Sequence, residues 1–502
     1  MRSAYEELRR RLAEIADLSS AASVLIWDQR TMMPPAGAPA RAEQLATLSR
    51  LAHEMLVSDE VGRLLHELTP WAASLDPDSD EAALVRVTRR DYDKARRVPA
   101  TLRAEMARAA ALATPAWEEA RRRSDWLLFQ PHLERAVELR LRYIDCFPET
   151  EDPYDVLLDD YEPGTTTAEV REVFARLRAG LVPLVAEVTE RAHAVDERPL
   201  RGRFPVEAQK RVEREILAAL GFDERSFRLD ETEHPFAIRV GAEDIRLTTR
   251  HQEDSLGSLF ACLHELGHGL YEYGIDRSLE RTPLARGASL GLHESQSRLW
   301  ENLVGRSRPF WQRFFPLLRR SFPEQLAGVD VEGFYRAVNA VRPSLIRIHA
   351  DEATYCLHVI LRFELEQELI GGRLAPAEVP GAWDAKVREY LGLEVPDVAQ
   401  GALQDVHWAS GAFGYFPTYA LGTIVAAQLW ERLRADVPDL DAAMAAGELG
   451  ALREWLREKV HRHGRKYLPG ELLRRVTGSA IDPEPFLRYL RSKLGEIYGL
   501  AA

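Results

Sequence analysis

Helical periodicity is the property of this 502-residue chain that limits its fold most strongly. Thr166 and Glu169 have the spacing of a capping box and stand just before an apolar stripe. The stripe has helical spacing and consists of Val170, Val173, Phe174, Leu177 and Leu181. A last helix is predicted to begin near Asp482 and to stop at Gly499. Charged segments of alternating sign predict further helices with solvated faces, over residues 1–18, 39–57, 81–97 and 101–145.

Strand signals are scarce and are concentrated in one predicted hairpin. Two alternating runs, 235–240 and 245–250, flank a turn that contains a glycine. We therefore predict a mainly α fold with a small β-hairpin or sheet. One large domain over residues 1–502, undivided or in two lobes flanking a cleft, fits this pattern.

Composition excludes several classes of protein. The 66 basic and 79 acidic side chains give a net charge of −13, which argues against nucleic acid and against anionic membranes as partners. Three scattered cysteines and an N-terminus without an apolar run predict a cytoplasmic protein. Residues 408–430 carry no charge, but their glycines, proline and hydroxyl groups favour a buried loop and a core helix over a membrane span.

One short motif predicts metal chemistry. His264 and His268 are four residues apart, so a helix places both imidazoles on one face, where they can hold one metal ion. Glu265 lies beside them, in the position of a general base that takes a proton from a metal-activated water. Coincidence, or a buried histidine pair without a metal, is the competing interpretation.

A catalytic zinc site needs a third protein ligand, which must come from further along the chain. No histidine follows His268 closely, so the metzincin pattern is absent. Glu294 and its neighbour His293 are the two candidates, and they point about 100° apart on a helix. Chemistry favours Glu294 and leaves His293 open. Zinc is the expected ion, and cobalt suits the same ligands.

The sequence resembles the carboxypeptidase Taq family of metallocarboxypeptidases over essentially its whole length. The resemblance rests on six ordered motifs: His234-Pro235-Phe236, Asp244-x-Arg246-x-Thr248, His264-Glu265-x-x-His268, His293-Glu294-Ser295-Gln296, Ile346-Arg347-x-x-Ala350-Asp351 and Gly401-x-x-Gln404-Asp405-x-His407-Trp408.

This resemblance implies more than the spacing alone. It implies Glu294 as the third ligand and a helical, saddle-like zinc peptidase fold with a deep active-site groove. It also implies a homodimer that removes single C-terminal residues from peptides with broad specificity.

A carboxypeptidase must recognise a free carboxylate, which arginine does well because its planar fork binds both oxygens. Arg347 is the first candidate, and an ion pair with Asp351 is its structural alternative. Arg246 and Arg250, on the second strand of the hairpin, are the other candidates for binding substrate.

The oxyanion formed during hydrolysis needs hydrogen-bond donors. His407, Tyr415 and Tyr419 are the candidates, because related helical zinc peptidases place a histidine and tyrosines in a similar run. Gln296 and Asp405 are candidates for orienting the ligands.

Three rival functions are weighed against this prediction. An endo-oligopeptidase on the same fold would not need a free C-terminus. A non-catalytic helical binding protein would carry a vestigial metal site, which the intact His264, Glu265, His268 and Glu294 argue against. An aminopeptidase is weaker still, because no Gly-Ala-Met-Glu-Asn string is present.

Overall fold

The protein, described here from a computed structural model over residues 1–500, is built mainly of α-helices, as predicted. The helices are α1 (Arg2–Thr31), α2 (Ala38–Leu56), α3 (Asp59–Ala72), α4 (Asp80–Arg97), α5 (Ala100–Arg123), α6 (Trp126–Ile144), α7 (Tyr154–Leu158), α8 (Thr167–Glu190), α9 (Val206–Leu220), α10 (Gly257–Gly274), α11 (Leu290–Arg298), α12 (Arg308–Ser321), α13 (Val331–Val338), α14 (Tyr355–Ile370), α15 (Val379–Leu391), α16 (Pro417–Asp436), α17 (Leu440–Ala446), α18 (Gly450–Lys459), α19 (Pro469–Thr477) and α20 (Glu484–Tyr498).

Local sequence explains where several helices begin and end. The capping box of Thr166 and Glu169 is formed at the start of α8, and the apolar stripe behind it is buried. Helix α20 begins at Glu484, two residues after the predicted cap, because the Asp482 carboxylate accepts a hydrogen bond from the Glu484 backbone N–H at 3.2 Å. Gly499 ends this helix in the left-handed region, as predicted.

The predicted helical segment 101–145 is in fact two helices. Ser124 takes a left-handed conformation with φ of 52° and ends α5. Asp125 then caps α6, its carboxylate accepting a hydrogen bond from the Leu127 backbone N–H at 3.1 Å. The charge pattern does not reveal this break, because serine and aspartate also occur on solvated helix faces.

The β element is a three-stranded sheet rather than a hairpin alone. Strands β2 (Ala237–Gly241) and β3 (Asp244–Thr249) form the predicted antiparallel pair, and β1 (Phe227–Glu231) adds a parallel strand. The order is β1-β3-β2, so β2 is an edge strand. The sequence of β1, Phe-Arg-Leu-Asp-Glu, is too charged to predict a strand. Arg250 lies one residue beyond β3 and not on it, which corrects its predicted placement.

Two hydrophobic cores hold the described residues together. The larger one extends from α5 to α20, while a smaller one joins α1, α3 and α4. Ile275, Leu279, Leu284 and Ala285, from the segment between α10 and α11, complete the smaller core. Within residues 1–500, no helix is long and apolar enough to cross a membrane.

Two glycines let the central helices approach each other closely. A Cβ atom at Gly267 of α10 would lie 2.4 Å from the backbone oxygen of Gln296 on α11. A Cβ atom at Gly422 of α16 would lie 2.6 Å from the Cβ of Glu294 on α11. Helix α11 is therefore held between α10 and α16 at a spacing that side chains at these two positions would prevent.

Candidate active site

Helix α10 presents His264, Glu265 and His268 as the sequence predicts. The two imidazole rings are 4.9 Å apart, and Glu265 is buried beside them. The helix forms because the apolar residues Leu259, Leu263 and Leu266 pack into the larger core.

Helix α11 brings Glu294 to the two histidines. Ser289 caps this helix by accepting a hydrogen bond from the Leu292 backbone N–H at 3.0 Å. The Glu294 Oε2 atom is 3.7 Å from Nε2 of His264 and 3.6 Å from Nε2 of His268. One ligand atom from each residue falls within a 4.8 Å cluster, which fits two imidazoles and a carboxylate around one divalent ion.

Further side chains fix the orientation of His264 and Glu294. The Nδ1 atom of His264 is 2.8 Å from Oε2 of Glu301, which leaves Nε2 facing Glu294. Arg298 donates to Glu294 at 2.7 Å and to Glu301 at 3.2 Å. Although burial opposes it, the Arg298 guanidinium and the His264 imidazole lower the pKa of Glu301 to about 2. Glu301 lies in a π-helical turn, Leu299–Val304, that follows α11.

His293, the alternative third ligand, does not join the cluster. Its Nδ1 atom is 2.6 Å from Nδ1 of His268, and its Nε2 atom is 2.8 Å from Oε1 of Glu272. Both nitrogens are occupied by these contacts, so His293 is placed to orient His268.

The surroundings of Glu265 suit a carboxyl group that transfers a proton. Its Oε2 atom is buried and has no hydrogen-bond partner among residues 1–500. Burial raises the pKa of Glu265 to about 7, even though the neighbouring His264 opposes the shift. A carboxyl group with a pKa near neutrality can both accept and return a proton.

Arg347 does not pair with Asp351, which corrects the structural alternative considered for it. Arg347 donates hydrogen bonds to Asp405 from Nε at 3.1 Å and from an Nη atom at 2.8 Å. It donates a third to Tyr355 Oη at 3.0 Å. Asp351 instead accepts backbone N–H groups of Arg342, Ala353 and Thr354. A guanidinium has five N–H groups, so Arg347 keeps donors for a further anion.

The predicted oxyanion donors form one aromatic group next to Arg347. The Nε2 atom of His407 is 3.3 Å from Oη of Tyr419, and the Tyr419 ring lies 5.0 Å from the Arg347 guanidinium carbon. Tyr415 and Tyr419 have ring centres 5.3 Å apart. Burial lowers the pKa of His407 to about 4, so this imidazole is neutral at pH 7.

The other two arginine candidates are engaged elsewhere. Arg246 forms an ion pair with Asp244 at 2.8 Å and stacks on Trp27. Arg250 is largely exposed and pairs with Glu233 at 3.1 Å. Neither contact joins them to the histidine cluster.

Several residues around the site were not predicted from the sequence. Glu301, Arg298 and Glu272 contact the cluster or its neighbours, and Tyr355 contacts Arg347. Glu301 lies seven positions after Glu294, which is helical spacing, and this signal could have identified it. Gln296 does not orient a ligand: its Oε1 atom is 2.8 Å from Nε2 of His461.

Known proteins share this sequence and fold. A sequence profile described as "Carboxypeptidase Taq (M32) metallopeptidase" matches residues 7–494. Thermostable carboxypeptidase 1 of Thermus thermophilus is 44% identical, with 99% of each chain covered, and carboxypeptidase 1 of Bacillus subtilis is 38% identical, with 97% of each covered.

Solved structures agree with these relatives. The M32 carboxypeptidase of Deinococcus radiodurans is 43% identical and superposes with a TM-score of 0.96, over 99% of this chain and 100% of that one. The resemblance inferred from the six motifs is confirmed, and so is the predicted helical fold. The protein therefore belongs to the carboxypeptidase Taq (M32) family of metallocarboxypeptidases.

Proposed function

We propose that His264, His268 and Glu294 hold one zinc ion, with cobalt as a chemically suitable substitute, and that Arg347 selects the free C-terminus of a peptide. The observation that carries this proposal is the cluster of three ligand atoms within 4.8 Å of one another, with the unpartnered Glu265 carboxylate beside it.

The residues divide the work of hydrolysis. His264, His268 and Glu294 would hold the zinc ion, which when bound would supply Lewis-acid activation of water and of the scissile carbonyl. Glu265 accepts a proton from the attacking water and returns it to the leaving amine. His407, held near Tyr419, and the hydroxyl groups of Tyr415 and Tyr419 donate hydrogen bonds to the developing oxyanion.

Asp405 and Tyr355 prepare Arg347 for a carboxylate. They fix one edge of the guanidinium, so the remaining N–H groups have a defined direction. Because Arg347 lies against Tyr419, a carboxylate bound there positions the last peptide bond near the oxyanion donors. This arrangement favours the removal of single C-terminal residues, with the broad side-chain specificity that the family resemblance implies.

A comparison of free-acid and amidated peptides tests this role. The wild-type enzyme should cleave the free acid far faster, and Arg347→Ala should largely lose that preference because both changes remove the same contact. Arg347→Lys should be impaired as well, since lysine keeps the charge but not the fork. Arg246→Ala and Arg250→Ala are matched controls that should retain the preference.

Two outcomes would contradict the proposal. If Arg347→Ala still strongly prefers the free acid, Arg246 or Arg250 reads the carboxylate. If the wild-type enzyme cleaves the amide equally well, the function is that of an endo-oligopeptidase. The predicted homodimer and cytoplasmic location stay predictions, which sedimentation analysis and cell fractionation would test.

A further inference from the structure

A cavity of about 570 Å³ lies beside the candidate metal centre, between helix α1 and the edge strand β2. His293 and Tyr161 line it. His293 contacts His268, and the Tyr161 ring lies 5.1 Å from the Tyr415 ring. The cavity therefore borders residues that contact the histidine cluster and the predicted oxyanion donors.

Most charged side chains on the cavity wall already have partners. Glu272 contacts His293 at 2.8 Å. The other pairs are Arg239 with Glu280, Arg281 with Asp17, Arg465 with Asp91 and Asp160 with Lys94. Arg286 is the exception: among residues 1–500, its guanidinium makes no hydrogen bond, and no carboxylate lies within 4.0 Å.

The surroundings of Arg286 favour an anion. The α1 face of the cavity offers only Ala16, Ser19, Ser20 and Ser23, so no acidic group comes from that side. Arg286 is exposed to the open cavity. Nearby protein atoms, and after them the Arg465 guanidinium, lower its pKa, while the Glu272 and Asp91 carboxylates act in the opposite direction without forming an ion pair with it. A guanidinium that faces an open cavity without an ion-pair partner has its N–H donors available to a ligand that supplies a carboxylate.

Arg286 is close to the site but on a different side from Arg347. A Cβ atom on the next residue, Gly287, would lie 2.8 Å from Cδ2 of His293, so the chain beside Arg286 touches the imidazole that contacts His268. Arg347 is instead connected to Glu294, through Tyr355 and Arg298. The two arginines therefore lie beyond different members of the cluster.

An edge strand of the sheet forms part of the cavity wall. Arg239 and Val240 of β2 form part of its wall, and β2 pairs with β3 on one side only. An edge strand can bind the backbone of an extended peptide and leave alternate side chains for pockets. With the terminal carboxylate at Arg347, the cavity would receive residues upstream of the scissile bond.

We propose that Arg286 binds an acidic side chain of the substrate on the N-terminal side of the scissile bond. The proposal rests on the proposed role of Arg347, because the position of the terminal carboxylate sets the direction of the peptide. The contact with Arg286 would give the enzyme a preference for glutamate or aspartate at one position upstream of the scissile bond.

Matched peptides test the preference. N-acetylated hexapeptides of alanine with one common C-terminal residue would carry glutamate or glutamine at the second, third or fourth position before the scissile bond. The ratio of kcat/KM for glutamate over glutamine should reach at least ~10 at one position, the lower range for a charge-assisted hydrogen bond. Arg286→Ala should bring this ratio to about one, and Arg286→Lys should give an intermediate ratio.

Arg281→Asn is the control, because Arg281 lines the same cavity but is paired with Asp17. Its φ of 58° is a conformation that asparagine tolerates. This variant should keep the wild-type ratio. A wild-type ratio near one at all three positions, or a ratio that survives Arg286→Ala or is lost in Arg281→Asn, overturns the proposal.

Amidated versions of the same peptides distinguish recognition of the terminal carboxylate from recognition of the upstream glutamate. If Arg286→Ala abolishes the preference for the free acid and leaves the glutamate ratio unchanged, Arg286 reads the terminal carboxylate and the proposal is wrong. If the wild-type enzyme cleaves acids and amides equally, the role of Arg347 fails, while the glutamate ratio still measures Arg286 independently.

Discussion

Individual contacts in this site depend on pairs of residues that are distant in sequence. The best example is Arg347, whose guanidinium is held by Asp405 and Tyr355. The sequence indicated that Arg347 was important but suggested Asp351 as its partner, because only local spacing can be read from a chain. The partner observed lies on a loop that packs against it in the folded protein, and no periodicity reports such a contact.

Glu265 provides the most direct test of the proposed chemistry. Glu265→Gln keeps the volume of the side chain but removes the base, so turnover should fall at least ~100-fold. Metal content should be unchanged, because Glu265 is outside the cluster of ligand atoms. Glu294→Gln is the matched comparison and should lose metal as well as activity. Substantial activity in Glu265→Gln would place the proton acceptor elsewhere.

Asp405 predicts a pH-dependent contribution to stability. Burial alone would raise the pKa of Asp405, but the guanidinium groups of Arg362 and Arg347 lower it well below its usual range. A depressed folded-state pKa gives stability that is fully present above the unfolded pKa of about 3.9 and is lost as the pH falls below it. Asp405→Asn should cost about 3–5 kcal/mol at pH 7, since it leaves two buried cations without their counter-ion.

The difference between the thermal unfolding midpoints of wild type and Asp405→Asn should therefore shrink between pH 5 and pH 3. Asp244→Asn serves as control, because Asp244 is more exposed and its pair with Arg246 should contribute no more than ~1 kcal/mol. A difference that stays constant across this pH range would refute the assigned charge state of Asp405.

Helices α10, α11 and α16 show which parts of the fold a sequence reveals. The apolar stripe and the four-residue histidine spacing predicted α10 correctly, because both are local properties of one helix. The distance between α10 and α11 cannot be read from local sequence. It is set by Gly267, which no sequence pattern distinguishes but which lies against the backbone of α11 in the structure. Strand β1 was missed for a related reason, since its pairing with β3 outweighs its low strand propensity.

Gly267→Ala should separate α10 from α11. The added methyl group would lie 2.4 Å from the Gln296 carbonyl oxygen, so the helices must move, at a cost of about 1–3 kcal/mol in the free energy of unfolding. Metal affinity should fall too, because the histidines and Glu294 lie on opposite sides of this contact.

The matched control is Gly495→Ala in α20, where a Cβ atom meets nothing within 4 Å. That variant should be stabilised by up to about 1 kcal/mol, because alanine favours a helix. Thermal unfolding and metal titration of both variants would measure the effect. Equal behaviour of the two variants would show that the helix contact does not control the site.

At the scale of the whole molecule, metal binding should stabilise the folded chain against unfolding. The three proposed ligands come from two helices, so an ion binds the folded chain and not the unfolded one. Stability should rise with free zinc by RT ln(1 + [Zn]/Kd), which is about 2.7 kcal/mol at a concentration 100 times Kd. A chelator should lower the unfolding midpoint and His264→Ala should abolish the response. If zinc does not change the unfolding midpoint of the wild type, the proposal that this cluster binds the metal is wrong.

The smaller hydrophobic core has a consequence for how the protein is made. Helices α1, α3 and α4 are synthesised well before Ile275, Leu279, Leu284 and Ala285, which complete the core that they form. A ribosome adding roughly 5–20 residues per second needs about 10–40 s to travel from the end of α4 to Ala285. For that time the apolar surface that these four residues cover in the folded protein has no partner, and we expect it to be a part of the nascent chain that is open to chaperones and to aggregation.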